Sequence, residues 1–276
     1  GQDGFVSIEV SPYLAHDTQA TLKEVRRFWH TIDRPNLMVK IPSTPAGVPA
    51  IRQALSEGIN INITLIFAIE NYRQVVEAYL SALEERSAKG QDISRIASVA
   101  SFFVSRVDVL VDKLLEDKIK TMSERTEQQR LKALQGKIAI ANARLAYQEF
   151  KRLFSGPRFA ALKQRGAHVQ RPLWASTSTK NPAYRDVLYV EELIGPDTVN
   201  TMPLKTIESF HDHGRVRLSI EDQLPGAKAD LAALQDVGIS YEQVTQQLQE
   251  EGVQKFIDSF DKLFQCIDNK RKVLQQ

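Results

Sequence analysis

The segment Leu37-Met38-Val39-Lys40-Ile41-Pro42-Ser43-Thr44 puts one lysine into a run that otherwise reads as a buried strand. Leu37, Val39 and Ile41 share one face, and Met38 and Lys40 share the other. Pro42 ends the ladder, Thr44-Pro45-Ala46-Gly47 turns, and Val48-Pro49-Ala50-Ile51 opens a helix with proline early, where it is tolerated. Lys40 therefore sits near the C-terminal end of a strand that feeds a helix. Three readings are open. It can be an edge-strand lysine that discourages aggregation. It can be a buried lysine held in a structural ion pair. Or it can be a desolvated, nucleophilic amine that forms a Schiff base. The last requires lowering a pKa of ~10.4 to ~7–8, equivalent to roughly 3–4 kcal/mol.

Working outward, Phe5–Val10 alternates, with Val6, Ile8 and Val10 on one face and Ser7 and Glu9 on the other. A helix is expected over about Asp17–Thr31, with Asp17 or Thr18 as its N-cap. Ile59–Phe67 alternates most clearly: Asn60, Asn62 and Thr64 point one way, and Ile59, Ile61, Ile63 and Leu65 the other. Helix follows over about Glu70–Lys89, strand over Ile96–Ser101, a loop over Phe102–Ser105 and helix over Arg106–Leu115. The stretch to Phe154 is charged and helical, and Glu124–Lys132 reads as a solvated face or loop. Pro172–Ser176 is a fifth strand, Asn181-Pro182 is expected to cap a helix, and Thr198–Met202 is a short sixth strand. The remainder is helical, and its stripe of Phe256, Phe260, Leu263, Phe264 and Ile267 is expected to dock on the domain.

Strands alternating with helices imply a parallel sheet covered on both faces, so the polar strand faces must line an interior. Polar residues recur at strand C-terminal ends, which favours a (β/α) barrel over a doubly wound sheet. Residues 1–276 read as a single domain, with no repeat or linker. A net charge of +2, 42% apolar and 25% charged residues give no reason to expect nucleic acid or a membrane surface as partner. No apolar run approaches ~20 residues, so no membrane-spanning helix is expected. A single cysteine, Cys266, excludes an internal disulfide and suits a reducing, cytoplasmic setting.

On neighbouring parallel strands, Glu9, Lys40, Asn62, Thr64 and Ser101 would converge on one interior. A carboxylate beside an amine is what imine chemistry needs, because carbinolamine formation and loss of water require a proton donor and acceptor. Thr64 could hold the relaying water, while Asn62 and Ser101 bind substrate hydroxyls. The bland alternative for Glu9 and Lys40 is a structural ion pair. Arg106, opening a helix, suits a phosphate, or else pairs with Asp108 or Asp112. Lys180 is a weaker phosphate candidate, and Ser43 and Thr44 read as loop and capping residues. His211 and His213 do not share a helical face, so no metal site is expected.

The segments SIEV, MVKIPST, GININITLIF, ASFFVSR, WASTSTKNPAY and NTMP together resemble those of the transaldolases, in order and spacing, through residue ~205. The resemblance implies an eight-stranded TIM barrel of the class I aldolase type, here with its strands three to eight and an added helical C-terminal part. It implies that Lys40 forms a Schiff base with fructose 6-phosphate or sedoheptulose 7-phosphate and passes a dihydroxyacetone unit to an aldose phosphate, a reaction of the pentose phosphate pathway. Glu9 would be the acid/base through a water on Thr64. Asn62 and Ser101 would contact the three-carbon unit, with Arg106, Ser176 and Lys180 also binding substrate. Sugar phosphates are the implied partners, and no metal or organic cofactor is implied. The family's first strand carries an aspartate for carbon–carbon cleavage and its second an asparagine; this chain matches from strand three, so both fall outside it. Gly1 stands in place of an initiator methionine, and a longer polypeptide, a fused partner domain or a homo-oligomer is expected. A Schiff-base aldolase releasing free dihydroxyacetone, or a non-catalytic interaction module, are the competing readings.

Overall fold

In the computed structural model, which describes residues 4–275, the lysine strand is β2 (Leu37–Pro42), and every residue in it but Lys40 is buried. It is not an edge. β2 pairs in parallel with β1 (Val6–Glu9) on one side and β3 (Ile61–Ile66) on the other, so the edge-strand reading of Lys40 falls. Register puts Glu9, Lys40 and Asn62 level across the three strands. β4 (Ser98–Phe103), β5 (Arg171–Ala175) and β6 (Val199–Asn200) continue the sheet in sequence order, all parallel. A doubly wound sheet would reverse its order at a switch point. This one never reverses, which is the winding of a barrel.

The barrel is open. Six strands run from β1 to β6, and among the described residues nothing pairs with the outer side of either. Six strands form a part-barrel, the number expected of strands three to eight, and β1 is exposed along most of its length. Between the strands up to β5 come α1 (Thr18–Ile32), α2 (Gly47–Ser56), α3 (Ile69–Ala88), α4 (Ser105–Thr121), α5 (Arg125–Lys132), α6 (Ile138–Phe154) and α7 (Pro157–Gln164). After β5 come α8 (Leu188–Glu192), α9 (Leu204–His213), α10 (Leu224–Asp236) and α11 (Tyr241–Leu274). One apolar core runs from Val10 to Val253 and includes Trp174, Tyr79, Phe102 and the aliphatics of β2 and β3. No helix of the described residues is long and apolar enough to cross a membrane.

Local chemistry explains the joints. Asp17 accepts a hydrogen bond from the Ala20 amide at 2.9 Å and caps α1. Gly47 opens α2 so close to β2 that a Cβ would collide with the Pro42 carbonyl oxygen, so only glycine fits. Thr44 accepts from the Gly47 amide at 3.0 Å, the capping role expected of it.

Four boundaries differ from expectation. β4 continues through Phe103, because Phe102 and Phe103 pair with Trp174 and Ala175 of β5 and leave no loop there. Asn181 accepts from the Ala183 amide but caps only a turn; helix resumes at Leu188. β6 shrinks to Val199–Asn200 at the open edge, where it has one neighbour. The alternation of β3 breaks at Thr64–Leu65: the register with β4 shifts between Ile63 and Ile66, and Leu65 takes a left-handed φ of 59°.

The C-terminal stripe docks only in its first half. α11 runs across the C-terminal ends of the strands, where Val244, Leu248, Gly252 and Val253 are buried and Phe256 and Ile257 pack against the core. Its contact ends near Phe260, which meets Tyr13 edge-on at 6.3 Å, and Asp261, which accepts from the Tyr13 hydroxyl. Leu263, Phe264 and Ile267 are more than half exposed, because nothing in the described chain reaches that far.

Candidate active site

Three neighbouring strands supply the centre of the site. Glu9 ends β1, Lys40 stands two residues before the end of β2, and both face the concave side of the sheet. Their side chains form an ion pair. Lys40 is mostly covered, with 21% of its side chain exposed, whereas Glu9 keeps 46% because its strand is the open edge. The amine and carboxylate thus share one chamber, as their spacing implied, but the chamber opens to solvent on the Glu9 side.

The roof is α11. The Lys40 ammonium lies 5.6 Å from the centre of the Phe256 ring, close enough for a cation–π contact. Below that ring a cavity of about 10 Å³ is bounded by Glu9, Lys40, Thr64 and Phe256, room for roughly one water. The Thr64 hydroxyl is buried and has no hydrogen-bond partner in the protein. A buried hydroxyl in that condition loses about 1–3 kcal/mol unless something binds it.

Asn62 stands one strand further in, on β3, and Ser101 two, on β4, and both are buried. Ser101 donates to the Asn62 carbonyl at 2.7 Å, and the Asn62 amide donates to Ser7 at 3.0 Å. This chain locks the amide's orientation and leaves it one free N–H.

A cleft of 610 Å³ leads from Glu9 and Lys40 along the sheet to Arg106, with Ser176 and Phe256 on its walls. Arg106 sits in the first turn of α4 and lies 5.0 Å from the Phe103 ring centre. One guanidinium nitrogen, Nη1, is buried without a partner. Burial pushes its pKa below the usual arginine value, opposed by the Glu251 carboxylate nearby. The alternative pairing with Asp108 or Asp112 is absent: Asp108 accepts from the Ala139 amide and Tyr189 hydroxyl, and Asp112 from Gly136 and Tyr184. An unpaired cation at a helix N-terminus is suited to an anion, where the dipole alone would repel it. Ser176 lies beside it with a left-handed φ of 58° and its hydroxyl 2.9 Å from that of Ser105.

Lys180 is not brought into this cleft. It is exposed, donates to Ser178 at 2.8 Å, and borders a separate depression with Asp112 and Tyr184. His213 lies between Asp186 and Asp212 at 2.8 and 3.0 Å, and those carboxylates raise its pKa. Among the described residues no three His, Cys, Asp or Glu side chains are placed to share a metal ion.

The transaldolase/fructose-6-phosphate aldolase family model matches residues 1–267. The chain belongs to that family. Among its relatives, the transaldolase of Trichodesmium erythraeum is 49% identical over 276 residues, 99% of this chain and 73% of the relative. Transaldolase 1 of Streptomyces coelicolor is 51% identical over 271 residues, 97% of this chain and 68% of the relative. The transaldolase of Acidothermus cellulolyticus is 52% identical over 266 residues, 95% and 68% of the two chains. The resemblance carried by the six short segments therefore extends over the whole chain, α11 included.

For this family member, sequence reasoning passed over Phe103, Phe256 and Gln249. Phe103 fell in a stretch read as loop; it ends β4, and the short turn into α4 brings the Arg106 guanidinium over its ring. Phe256 was visible only as part of an amphipathic stripe, which marks burial and not what is buried against it. Gln249 carried no signal at all.

Proposed function

We propose that this chain transfers a dihydroxyacetone unit between sugar phosphates through a Schiff base on Lys40. The observation that supports it most is the convergence, in one cleft, of a covered amine, a carboxylate, an unpartnered hydroxyl and an unpartnered guanidinium. In this reading the Lys40 nitrogen adds to the C2 carbonyl of fructose 6-phosphate or sedoheptulose 7-phosphate. Glu9, through a water on Thr64, protonates the departing carbinolamine hydroxyl, which leaves as water and gives the imine. The C3–C4 bond then breaks, its electrons flowing into the iminium to form an enamine, and the C4 hydroxyl gives up its proton as the aldose phosphate departs. In this reading that proton goes to the aspartate that the resemblance assigns to the family's first strand, outside these residues; among the described residues Glu9 is the only carboxylate bordering the cleft beside Lys40. The enamine attacks a second aldose phosphate and hydrolysis frees Lys40. Arg106 holds the phosphate, with Ser176 beside it, and Asn62 and Ser101 meet the three-carbon hydroxyls.

Borohydride reduction with fructose 6-phosphate tests the assignment. Covalent labelling is expected in the wild-type chain and its loss in Lys40→Ala; a labelled Lys40→Ala protein refutes it. A second reading has its own support, since the exposed side of Glu9 admits water to the enamine. That reading is an aldolase that releases free dihydroxyacetone. Erythrose 4-phosphate separates the two, because only transfer yields sedoheptulose 7-phosphate.

A further inference from the structure

The irregular point of the site is Leu65, next to Thr64. A leucine in the left-handed region is strained by about 1–3 kcal/mol, and such a conformation persists only where its surroundings hold it. Relaxing Leu65 to extended backbone would remove the register shift against β4 and displace the adjoining Thr64, which pairs with Pro42 at the end of β2. Leu65 is held by Ser43, whose hydroxyl lies 3.1 Å from the Leu65 carbonyl and whose amide donates to the Thr64 carbonyl at 2.8 Å, and from across the sheet by α11. The Gln249 side-chain amide reaches the Leu65 carbonyl at 3.2 Å, the Ser43 carbonyl at 3.2 Å, the Asn71 carbonyl oxygen at 3.2 Å and the Ser43 hydroxyl at 3.4 Å. Asn71 in turn donates to the Ser43 carbonyl at 3.0 Å, and the Ser43 hydroxyl contacts Asn71 at 2.7 Å. Ser43 directly follows the lysine strand. The Gln249 amide therefore fastens α11 onto the joint that Ser43 and Asn71 make between the ends of β2 and β3 and the first turn of α3.

The helix backbone enforces the same arrangement. A Cβ at Gly252 would lie 2.8 Å from a Leu65 methyl, so α11 rests directly on that side chain. One turn further on, Phe256 covers Lys40.

We propose that Gln249 is a positioning residue that sets the Thr64 hydroxyl against the Lys40 amine by clamping Leu65 to Ser43 from across the mouth of the sheet. It touches no reacting atom. The role rests on Lys40 being the imine-forming residue, and the experiment tells the two apart.

Gln249→Met keeps the length and removes the donor. Gln249→Glu keeps the shape but turns an oxygen toward acceptors, and only its protonated form can donate. Leu248→Ala loosens α11 through packing while leaving the clamp intact. Expected for Gln249→Met is a fall in kcat of about tenfold to a hundredfold, with KM for fructose 6-phosphate changed by less than about twofold because Arg106 is untouched. In Gln249→Glu the deficit in kcat should shrink as pH falls toward the carboxyl range, relative to wild type at each pH. Unchanged kcat in Gln249→Met overturns the proposal. So does an equal loss of kcat in Leu248→Ala at equal loss of thermal stability, which would make the role merely structural. Should Gln249→Met not fold, the pH profile of Gln249→Glu decides alone, and a flat deficit refutes the clamp. A wild-type chain that traps no sugar defeats the Lys40 assignment itself and this role with it.

Discussion

Asp108 shows how far a single side chain can be moved by its surroundings. It lies on the buried face of α4, away from the cleft, and accepts from the Ala139 amide at 2.7 Å and the Tyr189 hydroxyl at 2.8 Å. Both bonds favour the carboxylate, but burial outweighs them, and with the Asp112 charge nearby the pKa is pushed up to about 7. Between the ordinary value near 4 and 7 the folded chain binds a proton that the unfolded chain releases, so stability falls as pH rises. The contribution is complete below pH 4 and lost as pH climbs through 7, on the order of 4 kcal/mol at ~1.4 kcal/mol per unit. Urea unfolding of wild type should therefore weaken between pH 5 and 8, and Asp108→Asn should flatten that slope. An unaltered slope in the variant would place the titration elsewhere. Lys40 differs in kind: a carboxylate, a ring and a hydroxyl surround it on a strand that is otherwise wholly apolar, and LMVKIPST itself shows the lone lysine among apolar residues.

At the scale of elements, α11 is two helices in function. Up to Phe260 it is part of the site's roof, pressed on Leu65, Lys40 and Tyr13; beyond Lys262 it stands clear. Leu248→Ala should lower the unfolding free energy by about 2–5 kcal/mol through the cavity it leaves. Phe264→Ala, at a side chain already 51% exposed, should change it by less than about 0.5 kcal/mol. Equal urea midpoints for the two variants would mean that α11 does not dock as described. Periodicity alone could not draw this division. The stripe from Phe256 to Ile267 repeats at the same spacing throughout, and only the length of the surface beneath decides where packing stops.

Across the whole molecule the open sheet is the dominant physical fact. The outer side of β1 has no partner among the described residues, and Val6 is 65% exposed. Unpaired strand edges favour association, so the chain should show a mass by light scattering that rises with concentration. A lysine at the edge, Val6→Lys, should suppress that rise, whereas a constant mass in wild type would count against edge pairing. The same openness exposes Glu9, whose seclusion the interior reading had taken for granted. The period-two alternation of Glu9, Lys40 and Asn62 specified the face they share, since side-chain direction is a local property of an extended chain. It could not specify how much water reaches that face, which depends on which strand stands next in the sheet.

The sequence alone determined the order of strands and helices, the winding, the shared face of Glu9, Lys40 and Asn62, and the family. All of these follow from local backbone preference and short-range pattern. Only the tertiary structure decided how far Glu9 is open to solvent, that Leu65 takes a left-handed φ where β3 shifts register against β4, and that Gln249 reaches the Leu65 carbonyl across 184 residues of chain. A contact at that separation leaves no periodic trace, because it depends on where a helix lands after the sheet has formed.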